Sequence, residues 1–164
     1  MFAPVLSRNA SKSELYAELA AQARALFEGE RDATANSANL AALVFNALPD
    51  LSWAGFYWMK DGGLVLGPFQ GRPACVRIAM GKGVCGTAAR DRRTLIVPNV
   101  NEFPGHIACD AASQSEIVVP VMRGNRVLGV LDLDSPKLAR FDAQDARGLE
   151  ALVADFLQAS DLGG

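Results

Sequence analysis

The sequence predicts an α+β domain built on an antiparallel sheet. Three observations carry this: helical periodicity at both ends of the chain, strand-like runs between them, and short turns joining most of those runs. Ser11 and Glu14 form a capping box ahead of the first helical pattern, in which Leu15, Leu19, Ala23, Leu26 and Phe27 share one face. A second helical pattern carries Leu40, Val44, Ala47 and Leu48 on one side and stops at Pro49. From Ser52 the texture becomes strand-like. WAGFYWM and LVLGPF are joined by a hairpin turn through Asp61-Gly62. ACVRIAM alternates as a third strand, with Cys75 inside it. Gly81 and Gly83 then break the pattern ahead of VCGTAARD, a short helical piece opening near Cys85. TLIVPNV reads as a fourth strand, and the stretch from Asn99 to Ser113 reads as a long loop with room for one helical turn. EIVVPVM and RVLGVLDLD form a hairpin across Arg123-Gly124-Asn125. Asp142 caps a last helix that presents Ala146, Leu149, Leu152, Val153 and Phe156. The expected layout is one domain over 1–164: a helical segment over about 11–48, a sheet region over about 52–134 and a terminal helix over about 142–159.

Composition narrows the function classes. The chain has 164 residues, half of them hydrophobic, which is enough for a sizeable core. Its net charge of −2 offers no basic footprint for nucleic acid. No apolar run reaches the roughly 18 residues of a membrane span. MFAPVLSRNASKSE lacks the long apolar stretch of a secretory leader, so a cytoplasmic location, where thiols stay reduced, is the expectation. Three cysteines cannot all pair within one chain, which argues against a purely structural disulfide framework.

The chemistry-bearing residues fall into two groups. Cys109 sits in FPGHIACD, a loop-like setting unusual for an inert core cysteine, whereas Cys75 fits that plain role tolerably. Cys85, at the opening of a helical piece, is expected to have its thiolate favoured by the helix N-terminus. The second group is acidic. Glu116 heads the apolar run IVVPV, and Asp132 and Asp134 interrupt GVLDLDSP. Their plain reading is an edge residue and a turn signal before Ser135-Pro136. However, Asp132 and Asp134 share a strand face, and the hairpin brings Glu116 alongside. Three acids converging on one pocket would bind a cation such as the α-ammonium of a free amino acid. One of them could stay protonated, because like charges raise a carboxyl pKa. Trp53 and Tyr57 also share a strand face, opposite Phe56 and Trp58, as core or as a pocket wall. A Cys₃His zinc site from the three cysteines and His106 lacks the usual short CxxC knuckle. A Cys-His hydrolase would need an orienting group that the sequence does not reveal.

The succession GVCGTAA, FPGHIACD, SEIVVPV and GVLDLDSP resembles the free methionine-(R)-sulfoxide reductases, small GAF-domain enzymes. The resemblance runs from Trp53 to about Phe141 and includes all three cysteines and all three acids. It implies a GAF fold, with a six-stranded antiparallel sheet, N- and C-terminal helices on one face and loops over the other. It implies reduction of free L-methionine-(R)-sulfoxide without metal or organic cofactor. Cys109 would attack and become a sulfenic acid, with Cys75 as main resolving thiol and Cys85 also able to pair. Glu116, Asp132 and Asp134 would bind the polar part of the substrate, and Trp53 and Tyr57 its methyl group. Thioredoxin as reductant and a homodimer are further implications. The rival expectation is a non-catalytic GAF module, either a small-ligand binder or a cysteine-based redox sensor.

Overall fold

The computed structural model describes residues 9–106 and 111–163. Two helices, α1 (Lys12–Phe27) and α2 (Ala33–Ala47), lead into the hairpin of β1 (Trp53–Lys60) and β2 (Gly63–Gly71). A short β3 (Arg77–Ala79), helix α3 (Gly83–Asp91) and a short β4 (Leu95–Val97) follow. A 3₁₀ turn (Val100–Glu102) precedes the hairpin of β5 (Ser115–Arg123) and β6 (Arg126–Ser135), and α4 (Ala143–Ala159) comes last. The six strands form one antiparallel sheet in the order β3-β2-β1-β6-β5-β4. The two long hairpins thus meet at the centre of the sheet, with β1 against β6.

Local chemistry accounts for the boundaries. The Ser11 side chain accepts from the Glu14 backbone N–H, and the Glu14 carboxylate accepts from the Ser11 N–H, closing both ends of the capping box. Asp142 and Asp145 do the same for α4. In the β1–β2 turn, Asp61 and Gly62 both take positive φ, as a two-residue hairpin of this hand requires. In the β5–β6 turn Gly124 alone does so, at φ 59°. Two strands are shorter than their sequence patterns predict. β3 begins only at Arg77, so Cys75 lies ahead of it and not within a strand. Pro73, with no N–H to donate, interrupts the approach, and pairing resumes where the Val76 carbonyl accepts from the Leu66 N–H. β4 likewise stops at Val97, ahead of Pro98.

The sheet separates two cores. On one face Phe56, Ile117, Val119, Leu131 and Leu133 pack against Leu19, Leu40, Val44, Leu149 and Phe156 of the helices. Phe56 and Trp58 stack at 5.1 Å between ring centroids, both on this helix-covered side. Alternation then sends Trp53, Tyr57, Val118 and Val130 to the other face, where α3 and the loops cover them with Val84, Cys85, Ala88 and Val100. That second core is smaller, and it is interrupted by acids.

Candidate functional site

Strand register assembles the site. In one row across the sheet, Trp53 of β1 faces Asp134 of β6, Asp134 faces Glu116 of β5, and Glu116 faces Val97 of β4. In the next row on the same face, Gly55 faces Asp132 and Asp132 faces Val118. Directly opposed side chains on one face sit close together, so two central rows suffice to cluster three acids beside an indole. Helix α3 lowers Cys85 onto this cluster, placing its Sγ 3.9 Å from Glu116 Oε1. The result is a cleft with about 560 Å³ of empty space, partly open to solvent. Trp53, Tyr57, Cys85, Glu116, Asp132 and Asp134 all line it.

The aromatic wall is held from several sides. The Trp53 ring stacks on Phe69 at 5.3 Å and on Tyr57 at 5.8 Å, and its indole N–H donates to the Arg72 carbonyl at 3.1 Å. The Tyr57 hydroxyl donates to the Cys75 carbonyl at 3.0 Å. Burial first, and then the charge of Asp132, pushes the Tyr57 phenol pKa up, so it remains a hydrogen-bond donor. Gly55 makes the close packing possible. A Cβ there would lie 2.3 Å from the Phe69 Cβ and 2.7 Å from Trp53 Cη2. Gly55→Ala is therefore expected to destabilise the fold by about 1–3 kcal/mol, as overpacking typically does. Thermal unfolding would read this.

The electrostatics favour protonated groups. Glu116 and Asp132 are each 6% exposed. Burial, followed by the neighbouring Asp132 and Asp134, raises the Glu116 carboxyl well above its usual range. Burial also raises Asp132, to about 6, while hydrogen bonds from Cys85 and Glu116 hold it down. Of the two, Glu116 is therefore the group pushed towards the protonated, hydrogen-bond-donating form, beside Asp132 with a pKa of about 6. The expectation of a Cys85 thiolate is not met. Although Cys85 stands in the first turn of α3, burial and then Asp132 and Glu116 raise its pKa well above the ordinary value. Burial, reinforced by carboxyl groups at close range, outweighs one short helix dipole. His106 Nε2 lies 3.9 Å from Glu116 Oε2. Desolvation lowers the His106 pKa, which disfavours an ion pair at this contact.

Of the three cysteines, Cys85 is a free, buried thiol and Cys75 is disulfide-bonded. Cys109 lies outside the described residues. Several lining residues went unread in the sequence. Arg72 and Lys82 line the cleft and bring cations to a site otherwise dominated by acids. Ser113 also lines it, with a buried Oγ that has no hydrogen-bond partner among the described residues. Arg72 follows Gly71, whose φ of 123° turns the chain at the end of β2. A GR pair closing a strand was the available signal, and it is a weak one.

A family model described as GAF domain matches residues 34–159. The chain is 51% identical over 144 residues to the free methionine-R-sulfoxide reductase of Escherichia coli, covering 88% of this chain and 87% of that protein. It is 52% identical over 147 residues to the protein YtsP of Bacillus subtilis, covering 88% and 90%. Among solved structures, the free methionine-R-sulfoxide reductase from Neisseria meningitidis in complex with its substrate superposes with a TM-score of 0.92 at 42% identity, covering 97% of this chain and 95% of that one. Similarity of this extent includes the strands that carry the acids, the helix that carries Cys85 and the terminal helices. The chain belongs to the free methionine-R-sulfoxide reductase family of GAF domains.

Proposed function

We propose that this protein reduces free L-methionine-(R)-sulfoxide to L-methionine, in the cytosol, by thiol chemistry. The observation that carries the reading is the cleft in which Glu116, its carboxyl pushed towards the protonated form, and Asp132 stand beside the Trp53 and Tyr57 wall. A free amino-acid sulfoxide has matching parts: an ammonium, a polar S–O group and a methyl. In this reading Asp132 and Asp134 pair with the ammonium, which would otherwise be desolvated without compensation. Trp53 and Tyr57 pack on the methyl group. Glu116 donates its proton to the sulfoxide oxygen. Family membership and the relatives named above support the substrate class.

The Cys109 thiolate attacks the sulfoxide sulfur as the oxygen takes the Glu116 proton. The oxygen passes to the Cys109 sulfur, methionine leaves, and Cys109 becomes a sulfenic acid. A second thiol condenses with the sulfenic acid, forming an S–S bond and releasing water. A dithiol protein such as thioredoxin then reduces that disulfide by exchange. The disulfide-bonded state of Cys75, against the free and buried thiol of Cys85, favours Cys75 as the resolving residue. Cys85 is better suited to hold the Glu116 carboxyl through its hydrogen bond. The reaction needs no metal and no organic cofactor.

An epimer-resolved assay tests the specificity. The R epimer of free methionine sulfoxide should turn over and the S epimer remain largely unchanged. Peptide-bound sulfoxide should be a poor substrate, because it lacks the ammonium that the acids read. Equal turnover of both epimers, or efficient turnover of the peptide, would contradict the reading.

A further inference from the structure

The floor of the cleft gathers donor atoms that suit a metal ion as well as an ammonium. Cys85 Sγ, one Glu116 carboxylate oxygen and one Asp132 carboxylate oxygen lie within 4.8 Å of one another, and all three residues are buried. His106 stands at the edge of this group, with Nε2 3.9 Å from Glu116 Oε2. Asp132 is 6% exposed, it lines the cleft, and its Oδ1 has no hydrogen-bond partner among the described residues. A buried acceptor left without a donor is costly, and it is unusual enough in a native fold to mark a place where a cation belongs.

We propose that, when substrate is absent, this floor binds one Zn²⁺ ion through Cys85, Glu116, Asp132 and His106, and that the bound ion excludes substrate. One sulfur, one imidazole nitrogen and two carboxylate oxygens form a mixed set that Zn²⁺ accepts in tetrahedral geometry. Mg²⁺ and Ca²⁺ prefer oxygen alone and more ligands, so the thiol and the imidazole select against them. Zinc bonds of about 2.0–2.3 Å put tetrahedral donors roughly 3.3–3.8 Å apart. Cys85, Glu116 and Asp132 therefore have to draw in by up to about 1.5 Å on binding, and the His106 ring has to swing further towards them. The step is an exchange of cations with no change of oxidation state. The Cys85 S–H and Glu116 O–H bonds break, S–Zn and O–Zn bonds form, and both protons leave to solvent. Because Asp132 and Glu116 are also the groups assigned to substrate, ion and substrate cannot occupy the floor together. Exclusion of substrate rests on the proposed function, whereas binding of the ion does not.

The test uses the Cys75→Ser/Cys109→Ser variant, whose one remaining thiol is Cys85, titrated with Co²⁺ as a spectroscopic stand-in for Zn²⁺. The expected result is one equivalent bound, with a thiolate-to-cobalt charge-transfer band that Zn²⁺ displaces. Adding Cys85→Ser should abolish the band, and adding Asp132→Asn or Glu116→Gln should weaken Co²⁺ binding at least tenfold in each variant that retains the native circular dichroism. Absence of the band, its survival in Cys85→Ser, or unchanged affinity in the acid variants would overturn the proposal. With the natural sequence, Zn²⁺ should raise KM at unchanged kcat, reversibly with a chelator, and a fall in kcat alone would overturn the exclusion of substrate. A cobalt band in the double variant, together with no turnover of methionine sulfoxide by the natural sequence, would leave the metal site standing and remove the proposed reaction instead.

Discussion

Cys109→Ser should release no methionine from free methionine-(R)-sulfoxide, even in a single turnover with stoichiometric enzyme. Only the attacking sulfur can accept the oxygen, and a serine hydroxyl at the same place is neither ionised nor nucleophilic enough at neutral pH. Cys75→Ser should still release about one equivalent, because its attacking thiol survives, and should then stall for want of a resolving partner. Cys85→Ser should retain the burst and recycle better than Cys75→Ser. Its thiol is buried, held protonated and hydrogen-bonded to Glu116, and so is poorly placed to attack as a thiolate. Rapid quench and methionine quantification distinguish the three variants. A full burst from Cys109→Ser would overturn the assignment of the attacker.

Asp132→Asn should lower kcat/KM at least tenfold and at the same time make the ligand-free protein more stable at neutral pH. Loss of a buried charge partner typically costs about 2–5 kcal/mol when the other charge stays buried, and each 1.4 kcal/mol is tenfold in rate. The stability gain follows from the raised pKa. Burial lifts the Asp132 carboxyl from 3.8 to about 6 in the folded state. Between those values the unfolded chain binds fewer protons than the folded one, so stability falls as pH rises from about 4 to about 6 and is level above. At about 1.4 kcal/mol per pH unit the difference amounts to at most about 3 kcal/mol, which an asparagine no longer forfeits. For a chain of this size, Tm at pH 7 should rise by roughly 3–10 °C, and the gain should shrink towards pH 4. Glu116→Gln and Asp134→Asn should also each lower kcat/KM at least tenfold. Three amide variants with near-normal kcat/KM would make the acids ordinary sheet residues.

Much of this architecture was legible because its signals are local. The capping residues Ser11 and Asp142, the turns Asp61-Gly62 and Gly124-Asn125, and the alternation that separates Trp53 and Tyr57 from Phe56 and Trp58 all act within a few residues. Period two also put Asp132 and Asp134 on one face, and the hairpin carried Glu116 to them. What stayed hidden depends on contacts between distant segments. The pairing of β1 with β6, which brings Trp53 and Gly55 to the acids, joins residues about 80 positions apart and leaves no mark in either segment. The protonated state of Cys85 comes first from its burial under the sheet face and then from Asp132 and Glu116 on two other strands, so a helix-terminus argument limited to its own segment gave the wrong sign. Cys75 looked like a strand residue because an alternating pattern does not register that Pro73 delays pairing until Arg77.

If the cleft catalyses a reaction and does not merely register an oxidant, the protein turns over repeatedly. Reduced protein would be mixed with excess free methionine-(R)-sulfoxide and a dithiol reductant, and methionine would be counted per protein molecule over time. Many equivalents of methionine are expected, with the rate saturating in substrate. Reversible oxidation of the cysteines with no more than one equivalent of methionine, however long the reductant is present, would contradict it and leave a redox sensor in its place.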